Sequence, residues 1–192
     1  EVERVDLGSG VAVGDVTTES AVVWTRTDET AVVHCEYWPA KTFGRPDRAV
    51  PRPTEPAVAD GTVGFRLTDL APGTTYRYRV WALSGRGAAA QIDHPADATV
   101  GGFTTAPEPD DDAAVSFVWS GDTYGQGRAP PFQVFRRMAD CAPDFFLYLG
   151  DTVYADDPSP ALPDGDPETV DDYRAKYREM REEDPNLRDL LR

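Results

Sequence analysis

The hydrophobic period changes once along this chain, at "TTAPEPDDDAA" (Thr104 to Ala114), and that change constrains the fold more than any other feature. Before it, short runs alternate apolar and polar residues between turn signals, the pattern of an all-β sandwich. "SAVVWTR" (Ser20 to Arg26), "AVVHCEYW" (Ala31 to Trp38), "GFRLTDL" (Gly64 to Leu70) and "TYRYRVWAL" (Thr75 to Leu83) are the clearest strands. In the last of these, period two puts Tyr76, Tyr78, Val80 and Ala82 on one face and Arg77, Arg79 and Trp81 on the other. Pro72-Gly73 supplies a turn before it. Trp24 reads as a core residue. The proline-rich stretch from Arg45 to Gly61 reads as a long surface connection or an irregular edge.

After the boundary, "AAVSFVWS" (Ala113 to Ser120) is a continuous apolar run of strand length. "PPFQVFRRMADCA" places Phe132, Phe135, Met138 and Ala139 on one helical face, with Pro131 suited to a first helical turn. "DFFLYLG" is a second buried strand. The order predicts a β-α-β unit with parallel strands joined by a right-handed crossover. Two more helices follow. The spacing of Val170, Tyr173, Tyr177 and Met180 predicts a core-facing stripe, and Asp184-Pro185 predicts an N-cap and first helical position. The expected domains are therefore a sandwich over 1–106, an acidic linker over 107–114, and the opening part of an α/β domain, truncated, over 115–192.

A length of 192 residues and 40% hydrophobic content suffice for a buried core in each part. No apolar run approaches the ~20 residues of a membrane helix. The net charge of −15, with Lys41 and Lys176 the only lysines, argues against a nucleic-acid-binding patch. Cys35 and Cys141 fall in different domains and read as small buried hydrophobes rather than a disulfide.

Chemistry enters at the strand ends. Parallel strands of a β-α-β unit end side by side, where ligands of open α/β sheets bind. The first ends in "WSGDTYGQG" and the second in "YLGDTVYADD", so Asp122 and Asp151 should meet. Two such carboxylates repel unless one is protonated or a cation lies between them. Tyr154, three residues past Asp151, can offer a phenolate to a hard cation such as ferric iron. Thr123, Tyr124 and Gln126 are candidates to line the substrate side, on proximity alone.

With these residues the chain resembles the metallophosphoesterase superfamily, and specifically the N-terminal portion of PhoD-like alkaline phosphatases, relatives of the purple acid phosphatases. "GVAVGDVTTESAVVWTR", "LTDLAPGTTYRYRVWA" and "GGFTTAP" are similar to that family's fibronectin type III-like sandwich. "FVWSGDTYGQG", "FQVFRRMADCAPDFFLYLGDTVYADD" and "DDYRAKYREMREEDPNLRDLL" resemble the opening of its catalytic domain. The resemblance implies an exported enzyme that hydrolyses phosphomonoesters or phosphodiesters at a dinuclear site, Fe(III) with Ca(II) or another divalent ion. It implies Asp122 on the first metal, Asp151 bridging, and Tyr154 as the iron phenolate. Some relatives carry cysteine in the first motif, where this sequence has Asp122. The histidines that complete the second metal's shell in the family are missing, since His34 and His94 lie in the sandwich half. The expectation is a fragment, or a chain whose remaining catalytic segment is supplied elsewhere.

Two other readings stand beside it. The chain is a non-catalytic fibronectin-like binding module with an α/β remnant, Trp38 and Trp81 forming a sugar-stacking platform; or the paired acids form a calcium site that staples the domain.

Overall fold

Alternating strands in the first half hydrogen-bond into two antiparallel sheets. The structure, a computed structural model, describes residues 2–41, 46–56, 58–90, 96–123 and 130–192. It divides into two compact units, residues 1–113 with Arg192 and residues 114–191. In the first unit, β2 (Val11–Gly14), β3 (Ala21–Arg26) and β7 (Thr62–Leu67) form a three-stranded sheet in the order β2-β3-β7. The other sheet runs β1 (Glu3–Val5), β8 (Thr75–Ser84), β4 (Ala31–Pro39), β5 (Asp47–Arg48), with β6 (Arg52–Thr54) on β4 and β9 (Thr99–Thr104) on β8.

Inward-facing residues of both sheets make one core. Val11, Val23 and Phe65 from one sheet meet Val33, Tyr78 and Val80 from the other. The predicted face of β8 is the buried one, with Tyr76, Tyr78, Val80 and Ala82 all 5% exposed or less. The Tyr76 hydroxyl accepts a hydrogen bond from the Ala71 amide at 2.9 Å, pinning the Pro72-Gly73 turn to the strand that follows it. Gly73 takes φ of 55°, the left-handed region glycine enters without a Cβ clash.

Two expectations for this unit need correction. Trp24 is half-buried, because the inward side of β3 is carried by Ala21, Val23 and Thr25. Trp81 is 2% exposed: it packs with Leu83 and Ala88 in a second small cluster and stacks on His34 with ring centroids 5.1 Å apart. No sugar platform forms from it, and Trp38 lies under the Arg79 guanidinium, 5.4 Å from its centroid. The stretch read as a long surface connection or an irregular edge is the latter: it contributes the short edge strands β5 and β6, with Pro53 tolerated at an edge.

At the centre of the larger sheet lies a charged residue. Glu36 is fully buried on β4, and its carboxylate is shared by two guanidinium groups, Arg48 and Arg79, each paired to a different oxygen. A buried carboxylate is retained only with such partners, since its desolvation alone costs several kcal/mol.

In the second unit, β10 (Phe117–Ser120) and β11 (Phe145–Tyr148) pair in parallel, Phe117 opposite Phe145 and Ser120 opposite Tyr148. Helix α1 (Gln133–Asp140) connects them, α2 (Val170–Glu183) and α3 (Pro185–Leu191) follow, and α3 packs against both other helices. Phe135 of α1 is buried edge-on against Phe146 and Tyr148, at 6.3 and 6.4 Å between centroids. Burying a phenylalanine side chain contributes about 1.5–3 kcal/mol.

Helix ends follow local chemistry. Thr169 caps α2 through a reciprocal box with Asp172. Asp184 is buried and caps α3, one carboxylate oxygen accepting from the Asn186 and Leu187 amides at 3.0 and 3.1 Å; the other accepts from the Phe132 amide at 2.9 Å. Phe132 is itself the N-cap of α1, so one side chain ties two helix starts together.

Here too the structure revises expectations. Pro131 precedes the N-cap rather than opening the helix. The apolar run of β10 is not buried on both faces: Phe117 and Trp119 are 53% and 60% exposed. The stripe read on α2 faces outward, with Val170, Tyr173 and Tyr177 exposed and Lys176 buried in their place. Lys176 tolerates burial because its ammonium donates to the Asp157 carbonyl at 2.6 Å and to Ser159 Oγ at 2.9 Å. Both cysteines are free thiols. Cys35 is buried, which pushes its thiol up to about 12, whereas Cys141 is exposed.

Candidate metal centre at the strand ends

Parallel pairing carries past the end of β11 into the two Gly-Asp turns. The Leu149 amide donates to the Ser120 carbonyl, and one turn further the Thr123 amide donates to the Asp151 carbonyl, both at 2.8 Å. This second bond joins the residue after one Gly-Asp to the aspartate of the other. Gly150 has φ of 112°, a conformation closed to other residues, and it turns the chain sharply out of β11. Asp122 and Asp151 themselves adopt φ of 49° and 46°, a left-handed backbone that aspartate enters more readily than most side chains.

Tyr154 returns to this edge. Its hydroxyl donates to Asp122 Oδ1 at 2.5 Å. That bond to a carboxylate pushes the Tyr154 phenol up to about 12, with desolvation and then the charges of Asp122, Asp151 and Asp156 adding to the effect. The structure thus brings Asp122, Asp151 and Tyr154 to one sheet edge. The Thr123 hydroxyl is buried there, with no hydrogen-bond partner among the described residues. Tyr124 and Gln126 lie outside the described residues, as does His94. His34 belongs to the sandwich, where it is buried with Nε2 2.9 Å from the Ala88 carbonyl.

The donor set is all oxygen: two carboxylates and a phenol, which suits a hard cation better than a soft one. Among the described residues no three His, Cys, Asp or Glu side chains group as a metal cluster by themselves, so a phenolate is needed to complete even a three-ligand set. The fit is good in one specific respect. The Tyr154 and Asp122 oxygens already lie within hydrogen-bond distance of each other, and a cation held by both would reverse the sign of the carboxylates' effect on the phenol.

Thr152 was not evident as part of this arrangement from sequence. Its hydroxyl lies 3.1 Å from the Tyr177 phenol oxygen of α2. Helical spacing marked Tyr177 as a core residue, and only its polar tip hinted at a hydrogen-bonding role.

Family comparison covers both units. The model of the PhoD-like phosphatase N-terminal domain matches residues 1–107, and that of the PhoD-like phosphatase matches residues 116–192. A solved structure of PhoD is similar at a TM-score of 0.75 and 21% identity, over 96% of this chain; the chain spans 37% of the length of that protein. Further similar structures are a fibronectin type III domain of human contactin 1 (TM-score 0.35, 16% identity, 58% of this chain and 84% of that one) and the longer form of the sensor domain of the anti-sigma factor RsgI4 of Pseudobacteroides cellulosolvens (0.39, 16%, 60% and 99%). No curated protein matches. The chain belongs to the PhoD-like phosphatase family.

Proposed function

We propose that the parent enzyme hydrolyses phosphate esters, monoesters or diesters, with metal assistance, and that this chain supplies the first part of its metal site. The observation that carries this reading is the convergence of Tyr154 on Asp122 beside Asp151, across the ends of two adjacent parallel strands. Family membership supports it. The metals proposed are Fe(III) with Ca(II) or another divalent ion. When bound, such ions would polarise the phosphoryl oxygens and bring the pKa of a water toward neutrality.

The chain's own residues have defined tasks in this reading. Asp122 and Asp151 hold two negative charges at one edge and so attract the cations. Tyr154 would be the third oxygen donor, held to a bound cation as the phenolate. The Thr123 amide, held on the Asp151 carbonyl, keeps the two turns in register. Export from the cytoplasm is part of the proposal by family likeness, and no helix among the described residues is long and apolar enough to cross a membrane.

The test is a ferric titration of the purified chain followed by visible absorption. A phenolate-to-iron band that disappears in Tyr154→Phe supports the reading; a colourless protein with no bound iron sinks it for this chain. In the parent enzyme, Asp151→Asn is expected to reduce metal content and activity by more than the roughly 10- to 100-fold that loss of an outer-shell partner costs. Unchanged stoichiometry would remove Asp151 from the site.

A further inference from the structure

Tyr177 occupies a position that packing does not explain. Its side chain is 47% exposed on the outward face of α2, yet its phenol oxygen lies 3.1 Å from Thr152 Oγ1. Thr152 follows Asp151 directly and stands two residues before Tyr154, inside the turn that carries both. The Thr123 amide to Asp151 carbonyl and Tyr154 to Asp122 bonds join it to the first Gly-Asp turn, and the Tyr154 carbonyl accepts from the Asp157 amide within the same segment. The Thr152–Tyr177 bond couples it to α2.

The helix at this point is a firm support. Lys176, the preceding residue, is buried against Asp157 and Ser159. Glu179 accepts from Ser159 Oγ at 2.6 Å and from the Ala161 amide at 3.0 Å. Successive parts of the segment after β11 are therefore fastened to one stretch of α2, residues 157–161 through Lys176 and Glu179 and the Asp151–Tyr154 turn through Tyr177.

We propose that Tyr177 is a positioning residue: by holding Thr152, it sets the turn so that the Asp151 carboxylate and the Tyr154 phenol converge with Asp122 on a hard cation. The inference rests on the metal-centre reading above. It goes beyond it in assigning a role to a helix residue that contributes no ligand.

The experiment combines amide hydrogen exchange at Thr123, read by NMR without metal, with the ferric titration of the intact chain. Tyr177→Phe is expected to speed Thr123 exchange and to weaken ferric binding, each by roughly two- to tenfold, the size of one exposed hydrogen bond, and to shift the phenolate band. Thr152→Val should reproduce this, Thr152→Ser should restore both, and the double variant Thr152→Val/Tyr177→Phe should lose no more than either single one. Tyr173→Phe, on the same exposed face, should leave both readouts unchanged. Wild-type exchange and an unshifted band in Tyr177→Phe would overturn the proposal while leaving the metal reading intact, as would an equal loss in Tyr173→Phe. Absence of a ferric band in the unsubstituted chain would overturn the metal reading, and the positioning role with it.

Discussion

The Tyr154 hydroxyl donates to the Asp122 carboxylate at 2.5 Å, joining two turns that are 32 residues apart in sequence. The bond brings together the two oxygen donors that the proposed metal site requires. It also makes the phenol a reporter of the site.

The first prediction concerns that reporter. The folded Tyr154 phenol is raised to about 12 from an ordinary value near 10. A raised value means that the bonded, protonated form stabilises the turn fully below pH ~10, and that this contribution is lost as pH rises through about 12. Asp122→Asn should bring the Tyr154 ionisation down toward pH 10, seen as an earlier tyrosinate step in a near-ultraviolet titration. An unmoved step would mean that the carboxylate is not its partner.

Removing one partner of Glu36 should be costly. Arg79→Ala leaves a fully buried carboxylate with Arg48 alone and strips the cation from the face of Trp38. The expected destabilisation is about 3 kcal/mol, measured as a lower urea midpoint of the sandwich at unchanged slope. Arg48→Ala should cost less, because that side chain is the more exposed of the two, 35% against 21%.

His34 should make the sandwich sensitive to mild acid. Burial lowers its pKa below 6.5, with the Ala88 carbonyl opposing that shift and Arg48 and Glu36 contributing in opposite senses. The unfolded chain then binds the proton more readily, so stability is complete above pH ~6.5 and declines as pH falls from there toward the folded value. Thermal melts of His34→Phe should lack this component of the decline below pH 6.5.

Asp184→Ala should loosen two helices at once. It removes the α3 cap and the bond to the Phe132 amide that starts α1, at an expected cost of about 1–3 kcal/mol. Amide exchange in both helices should accelerate together. Acceleration confined to α3 would show that the link to Phe132 does not matter.

The buried face of β8 was legible because a period of two assigns sides without reference to neighbours. The meeting of the Gly-Asp turns was legible because parallel strands must end together. The outward stripe on α2 was not: spacing says which residues share a face, and only the packed neighbours say whether that face is covered. Lys176 illustrates the difficulty, since its burial depends on a carbonyl and a hydroxyl from residues 157 and 159 that no helical period encodes. Trp24 was misread for a simpler reason. Its size suggested core, while the parity of Ala21, Val23 and Thr25 placed it on the other side.

Both aspartates of the strand-end pair sit on left-handed backbone, at φ of 49° and 46°. That geometry filters side chains before any ligand arrives. Most non-glycine residues pay roughly 1–2 kcal/mol to enter it, whereas Asn and Asp are favoured there by local hydrogen bonding. Asparagine therefore replaces either aspartate with almost no change in backbone preference, and glutamate does not, despite keeping the charge. Charge and conformation can be varied separately at these two positions: the Asn variant isolates the loss of charge, and the Glu variant isolates the mismatch between a longer carboxylate and its turn.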